Sequence, residues 1–132
     1  MSADPRELLR RVQDIDDSGD VGSAIQVLAD GISSGVCSEN VLWLSALTIH
    51  MSILCEQTGR LDLAIEFVKK ALPEIPNDLG LLYTLANLLG LKGETEEARI
   101  VAERFRRACD VSTDEDAKRW SELIPSLDRM LS

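Results

Sequence analysis

The chain has 132 residues, and its 14 Lys and Arg against 23 Asp and Glu leave a net charge of −9 at pH 7. That surplus of acid argues against nucleic-acid binding, which needs Lys and Arg gathered on one face to neutralise phosphates. With 45% hydrophobic residues, the chain has enough apolar surface for one folded domain and too much for a disordered tail. Its apolar stretches stop well short of the ~18 residues a membrane span needs. The opening MSADPRELLRR has no apolar signal segment, so the expectation is a cytoplasmic protein with no membrane association.

The first start signal is strong. Asp4, Pro5 and Glu7 supply a capping acceptor, a proline at the first helical position and a carboxylate in the first turn, so a helix is expected over 5–17. Apolar periodicity and turn glycines place further helices at 21–34, 40–58, 62–72, 79–91 and 95–109. Pro73 and Pro76 in ALPEIPND end the fourth, because proline lacks a backbone donor and restricts the residue before it. Asn77 or Asp78 can then cap the fifth. A seventh helix is expected after Ser112, whose spacing to Glu115 suits a capping box. In it Ala117, Trp120, Ile124, Leu127 and Leu131 form one apolar stripe, and Pro125 should kink or split it. Strand and hairpin signals are nearly absent, so the fold class is all-α.

Three segments share one pattern: SGDVGSAIQVLADG, TGRLDLAIEFVKKA and KGETEEARIVAERF. In each, a glycine is followed five residues later by an alanine. Gly19, Gly59 and Gly93, like Ala24, Ala64 and Ala98, are separated by 40 and then 34 residues. This is a 34-residue helical hairpin used three times, with about six extra residues around GVCSENVLW.

The period, together with Gly59, Ala64, Ala71, Pro76 and Asn77, resembles a tetratricopeptide repeat. The second copy matches best. In the third, Phe105 stands where Ala71 does and Asp110 replaces the proline; in the first, Gly31 takes the small-residue place. Ile15, Cys55 and Leu89 occupy the place of the consensus tyrosine, and Leu8, Thr48 and Leu82 that of the tryptophan. The resemblance implies a right-handed α-solenoid in a single domain over 1–132, with repeats at about 5–38, 40–78 and 79–112 and a capping helix at about 113–131. Stacking supplies the burial that a lone hairpin cannot achieve, and the last helix covers the end.

The resemblance also implies a non-enzymatic adaptor or scaffold that binds a protein or peptide segment on a concave face lined by the first helix of each pair. That face would carry Arg6, Leu9, Arg10 and Gln13, then Ala46, Ile49, His50 and Ile53, then Tyr83, Thr84 and Asn87. Tyr83 and Asn87, one turn apart, are the candidates for polar readout. The Lys, Asn and Arg pattern that grips chaperone C-terminal carboxylates in this family is missing, since Leu9, Gln13, His50, Gly80 and Thr84 stand in its place.

The third helix is apolar nearly all round from Val41 to Cys55. Either it lies buried between neighbours or it presents an apolar groove, and Trp43 is correspondingly core or anchor. An alternative to the adaptor is a homodimer or larger assembly unit, joined through the Trp43 region or the Trp120 helix. No catalytic motif, phosphate loop or metal-ligand spacing occurs. His50 is the sole histidine, and Cys37, Cys55 and Cys109 read as buried free thiols. Neither enzyme activity nor a cofactor is expected. The basic runs Arg6, Arg10, Arg11 and Arg104, Arg106, Arg107 read as solvated helix faces.

Overall fold

The computed structural model describes residues 4–35, 40–112 and 115–131. Among them there is no strand, and eight α-helices follow one another: α1 (Pro5–Asp17), α2 (Val21–Ser33), α3 (Val41–Gln57), α4 (Leu61–Ala71), α5 (Leu79–Lys92), α6 (Thr95–Val111), α7 (Glu115–Ser121) and α8 (Ile124–Leu131). The chain divides into two compact units, Met1–Ala64 and Ile65–Ser132, with the boundary inside α4.

Helix starts follow from short polar side chains that accept the orphan amides of a first turn. Asp4 accepts from the Arg6 amide at 3.0 Å, and Asp20 from the Ser23 amide at 3.1 Å. Asn40, expected to lie inside the third helix, is its cap instead, accepting from the Leu42 amide at 3.1 Å. Asp78 is the N-cap residue of α5.

Helix ends repeat one device. At Gly19, Gly59 and Gly93 the backbone is left-handed, with φ between 74° and 91°, a region open to glycine at little cost. The next residue's amide reaches back to the helix: Asp20 to the Ile15 carbonyl at 3.3 Å, Arg60 to Cys55 at 2.8 Å and Glu94 to Leu89 at 2.9 Å. This is the Schellman closure, and it recurs at the 40- and 34-residue offsets of the sequence repeat. After α4 the exit is different: a single 3-10 turn over Leu72–Glu74 holds Pro73.

In the first unit α1 packs on α2, and α3 packs on both. Leu8, Val12, Ala24, Ile25, Leu28, Leu47, Met51 and Leu54 form its apolar interior, each fully buried Leu or Ile contributing about 2 kcal/mol. In the second unit the α5/α6 hairpin makes the most extensive packing, with α7 and α8 laid against both helices. Leu81, Leu82, Leu85, Leu88, Ala98, Val101 and Phe105 are among its buried residues. Lys69 of α4 pairs with Glu97 of α6 at 2.6 Å.

The final apolar stripe is split rather than kinked. Turn residues 122–123 separate α7 from α8, and Pro125 occupies the second position of α8, where its missing amide costs nothing. α6 runs two residues beyond its expected end, to Val111. The side chain of Glu115, on which the expected capping box depends, lies outside the described residues, as does Cys37.

Candidate functional site

The expected binding residues fall on three helices. On α1, Arg6, Arg10 and Gln13 are exposed and Leu9 is half-buried. They recur at i, i+3, i+4 and i+7, so they share one helical face. Arg10 pairs with Glu7 at 3.6 Å on the same helix, a solvated contact of little energetic weight.

On α3, Ala46 is exposed, Ile49 and His50 are half-buried, and Ile53 is 48% exposed. The same helix shuts in Leu47, Thr48, Met51, Ser52, Leu54 and Cys55. The helix is therefore buried on one side and leaves Ala46 and Ile53 open to solvent on the other. His50 Nε2 is closed off from solvent and has no hydrogen-bond partner among the described residues, and neither has Thr48 Oγ1. At the start of α3, Leu42 is 79% exposed while Trp43 is half-buried.

On α5, Tyr83, Thr84 and Asn87 are half-buried. The Tyr83 ring packs against Phe105 of α6 at 5.7 Å between centroids and against Trp120 of α7 at 5.9 Å. Phe105 and Trp120 meet edge to face at 6.3 Å. The tilted and T-shaped pairs avoid the disfavoured face-to-face sandwich. Trp120 thus lies inside the second unit's own packing. The α1 and α3 sets belong to the first unit, the α5 set to the second.

The basic run of α6 is paired. Arg106 bonds Asp128 of α8 at 2.8 Å, Arg107 bonds Glu103 at 3.3 Å, and Arg104 donates to the Pro76 carbonyl at 3.3 Å. Sequence reasoning missed a cavity of about 350 Å³ along the α6/α8 seam, floored by Ala102, Ile124 and Leu127 and edged by Arg99 and Arg106. Its apolar half was visible as the final stripe. The two arginines were not, because nothing local ties them to a helix more than twenty residues on.

Cys55 and Cys109 are free and buried. Burial raises both thiols above the ordinary cysteine range; Arg60 opposes this at Cys55, and Asp110 adds to it at Cys109. Thiols kept protonated in this way are poor nucleophiles. Among the described residues no three His, Cys, Asp or Glu side chains are grouped to hold a metal ion, and no helix is long and apolar enough to cross a membrane. Compared with protein-family models and with curated proteins, the sequence matches none of them.

Proposed function

We propose that the chain is a non-enzymatic interaction module of tetratricopeptide-like hairpins, forming the solenoid that the resemblance implies, and that it binds a peptide or helical segment of a protein partner. The observation that carries the reading is α3. It keeps Leu47, Met51 and Leu54 in the core, yet leaves Ala46 and Ile53 exposed beside half-buried Ile49. An apolar row at i, i+3 and i+7 suits a segment that needs burial for affinity. Arg6 and Arg10 of α1, in the same unit and exposed, would orient an acidic segment.

Affinity capture from the native cell, read by mass spectrometry, tests this. Partners bound by the natural chain should be lost on Ile49→Glu with Ile53→Glu, at unchanged helical content. Capture indifferent to both substitutions defeats the assignment.

A second reading, self-association, is favoured by Val41 and Leu42, 44% and 79% exposed at the start of α3. Light scattering coupled to size exclusion decides it. A dimer that Leu42→Lys dissociates supports the reading, and a monomer at every concentration rejects it.

A further inference from the structure

α1 carries its charges in an order that a helix does not favour. Arg6, Arg10 and Arg11 occupy its first half, Asp14, Asp16 and Asp17 its second, and no basic residue stands in its last turn. The backbone dipole is positive at the N-terminus and negative at the C-terminus, so anions are favoured at the start of a helix and cations at its end. Apart from Glu7 in the first turn, the side chains of α1 add to that dipole instead of opposing it. Like charges also stand one turn apart, Arg6 with Arg10 and Asp14 with Asp17, a spacing that disfavours the helix. The stability of α1 therefore does not account for this order.

The order is displayed to solvent. Leu8 and Val12 turn one side of α1 into the core, while Arg6, Arg10, Gln13 and Asp17 recur at i, i+4, i+7 and i+11 on the opposite side, all exposed. At 1.5 Å per residue this stripe runs about 16 Å, cationic at one end and anionic at the other. Among the described residues Arg6, Asp14 and Asp17 enter no ion pair, and Arg10 has Glu7 at 3.6 Å. α1 touches α3 within the first unit, where Ala46, Ile49 and Ile53 offer apolar contact and no charge.

We propose that the partner segment taken by α1 and α3 is divided in charge: acidic residues over Arg6 and Arg10, basic residues over Asp14 and Asp17, and apolar residues against Ile49 and Ile53. The inference rests on the reading of the chain as an interaction module, and names the chemistry of its partner. Burial on α3 would supply affinity and the pattern on α1 selectivity, because exposed charges discriminate between partners more than they hold them. At physiological salt, charges farther apart than ~8 Å are largely screened. The segment therefore meets the two ends of α1 separately, and not the net charge of −9.

The test uses the full chain and three fluorescein-labelled synthetic peptides of about five helical turns that share one apolar row at i, i+3 and i+7. The first is acidic in one half and basic in the other, the second acidic throughout and the third basic throughout. By fluorescence anisotropy at physiological salt, the divided peptide should bind the natural chain at least five-fold more tightly than either uniform one. With Asp14→Lys and Asp17→Lys the acidic peptide should become the tightest, while the melting temperature rises because the new cations oppose the dipole. The basic peptide binding the natural chain most tightly, as net charge alone would dictate, overturns the proposal. So do a ranking that the two substitutions leave unchanged, a melting temperature that falls, and absence of binding by all three peptides. If the three bind alike and Ile49→Glu with Ile53→Glu releases them, the charge order is refuted and the reading as an interaction module survives.

Discussion

Leu8 of α1 lies against the bare Cα of Gly31 of α2, so that a Cβ at position 31 would overlap both Leu8 Cδ atoms and approach Cγ to 3.1 Å. Alanine in a helix is favoured over glycine by up to ~1 kcal/mol, but overfilling a packed contact costs about 1–3 kcal/mol. Leu8 is nearly buried, so the clash should win and Gly31→Ala should destabilise the chain by about 1 kcal/mol. Leu8→Ala alone should cost about 2–3 kcal/mol. Combined, the two should cost less than their sum in urea unfolding followed by circular dichroism. Additive values would show that this contact does not set the α1/α2 distance.

Thr48 is fully buried, and its hydroxyl has no hydrogen-bond partner among the described residues. An orphaned buried polar group costs about 1–3 kcal/mol. Thr48→Val keeps the shape and removes the hydroxyl, so it should raise stability by about 1 kcal/mol. Thr48→Ser keeps the hydroxyl and loses a methyl, and should lower it. Urea midpoints ordered Val, Thr, Ser meet the expectation; a less stable valine variant would mean that the hydroxyl has a partner.

The three rings of Tyr83, Phe105 and Trp120 tie α5, α6 and α7 together. Trp120→Ala should cost about 3 kcal/mol, the lower end for a large aromatic because the side chain is half-buried. The same variant should remove most of the near-ultraviolet dichroism. Tyr83→Phe retains the ring and should leave the melting temperature within about 2 °C. If Tyr83→Phe still abolishes partner capture, the hydroxyl contributes to recognition as well as the ring to packing.

Three groups tilt the pH profile in defined directions. The Ser23 hydroxyl, at 2.7 Å, and then the Ser23 amide hold the Asp20 carboxyl below its ordinary value. Its contribution is present above the unfolded value of about 4 and is lost as pH falls through the lowered native value. Asp20→Asn should flatten that acid limb. Burial raises Cys55 and Cys109, so their contribution is complete below the unfolded thiol value and is lost as pH rises through the raised native values. Cys55→Val should flatten the alkaline limb. Thermal melts from pH 2.5 to 10 check both, and parallel curves for variant and natural chain would contradict them.

The helical scaffold was legible wherever a single residue type carries a local backbone requirement. Pro5 after Asp4, the three turn glycines and Pro73 mark helix ends to within a residue or two, because each acts through the chain on either side of it. Phe105 in the small-residue place of the third copy reads as a departure from the repeat. In three dimensions it has a definite role, packing its ring against both Tyr83 and Trp120. Periodicity identified the faces of α1, α3 and α5 but not what lies across from them. Tyr83 and Asn87 look alike as surface polar residues, yet the Tyr83 ring is held by two partners on other helices. The Arg99 and Arg106 bonds to α8 were hidden for the same reason: a sequence pattern gives the direction of a side chain, and only tertiary packing supplies its neighbour.

Around Gly19, Gly59 and Gly93 a Cβ would meet nothing within 4 Å, so what these corners demand is handedness and not smallness. An alanine there would be strained by its φ alone, the left-handed region costing roughly 1–2 kcal/mol. Alanine placed singly at Gly19, Gly59 or Gly93 should therefore lower stability by much the same amount at each corner, the strain coming from the backbone and not from any neighbour.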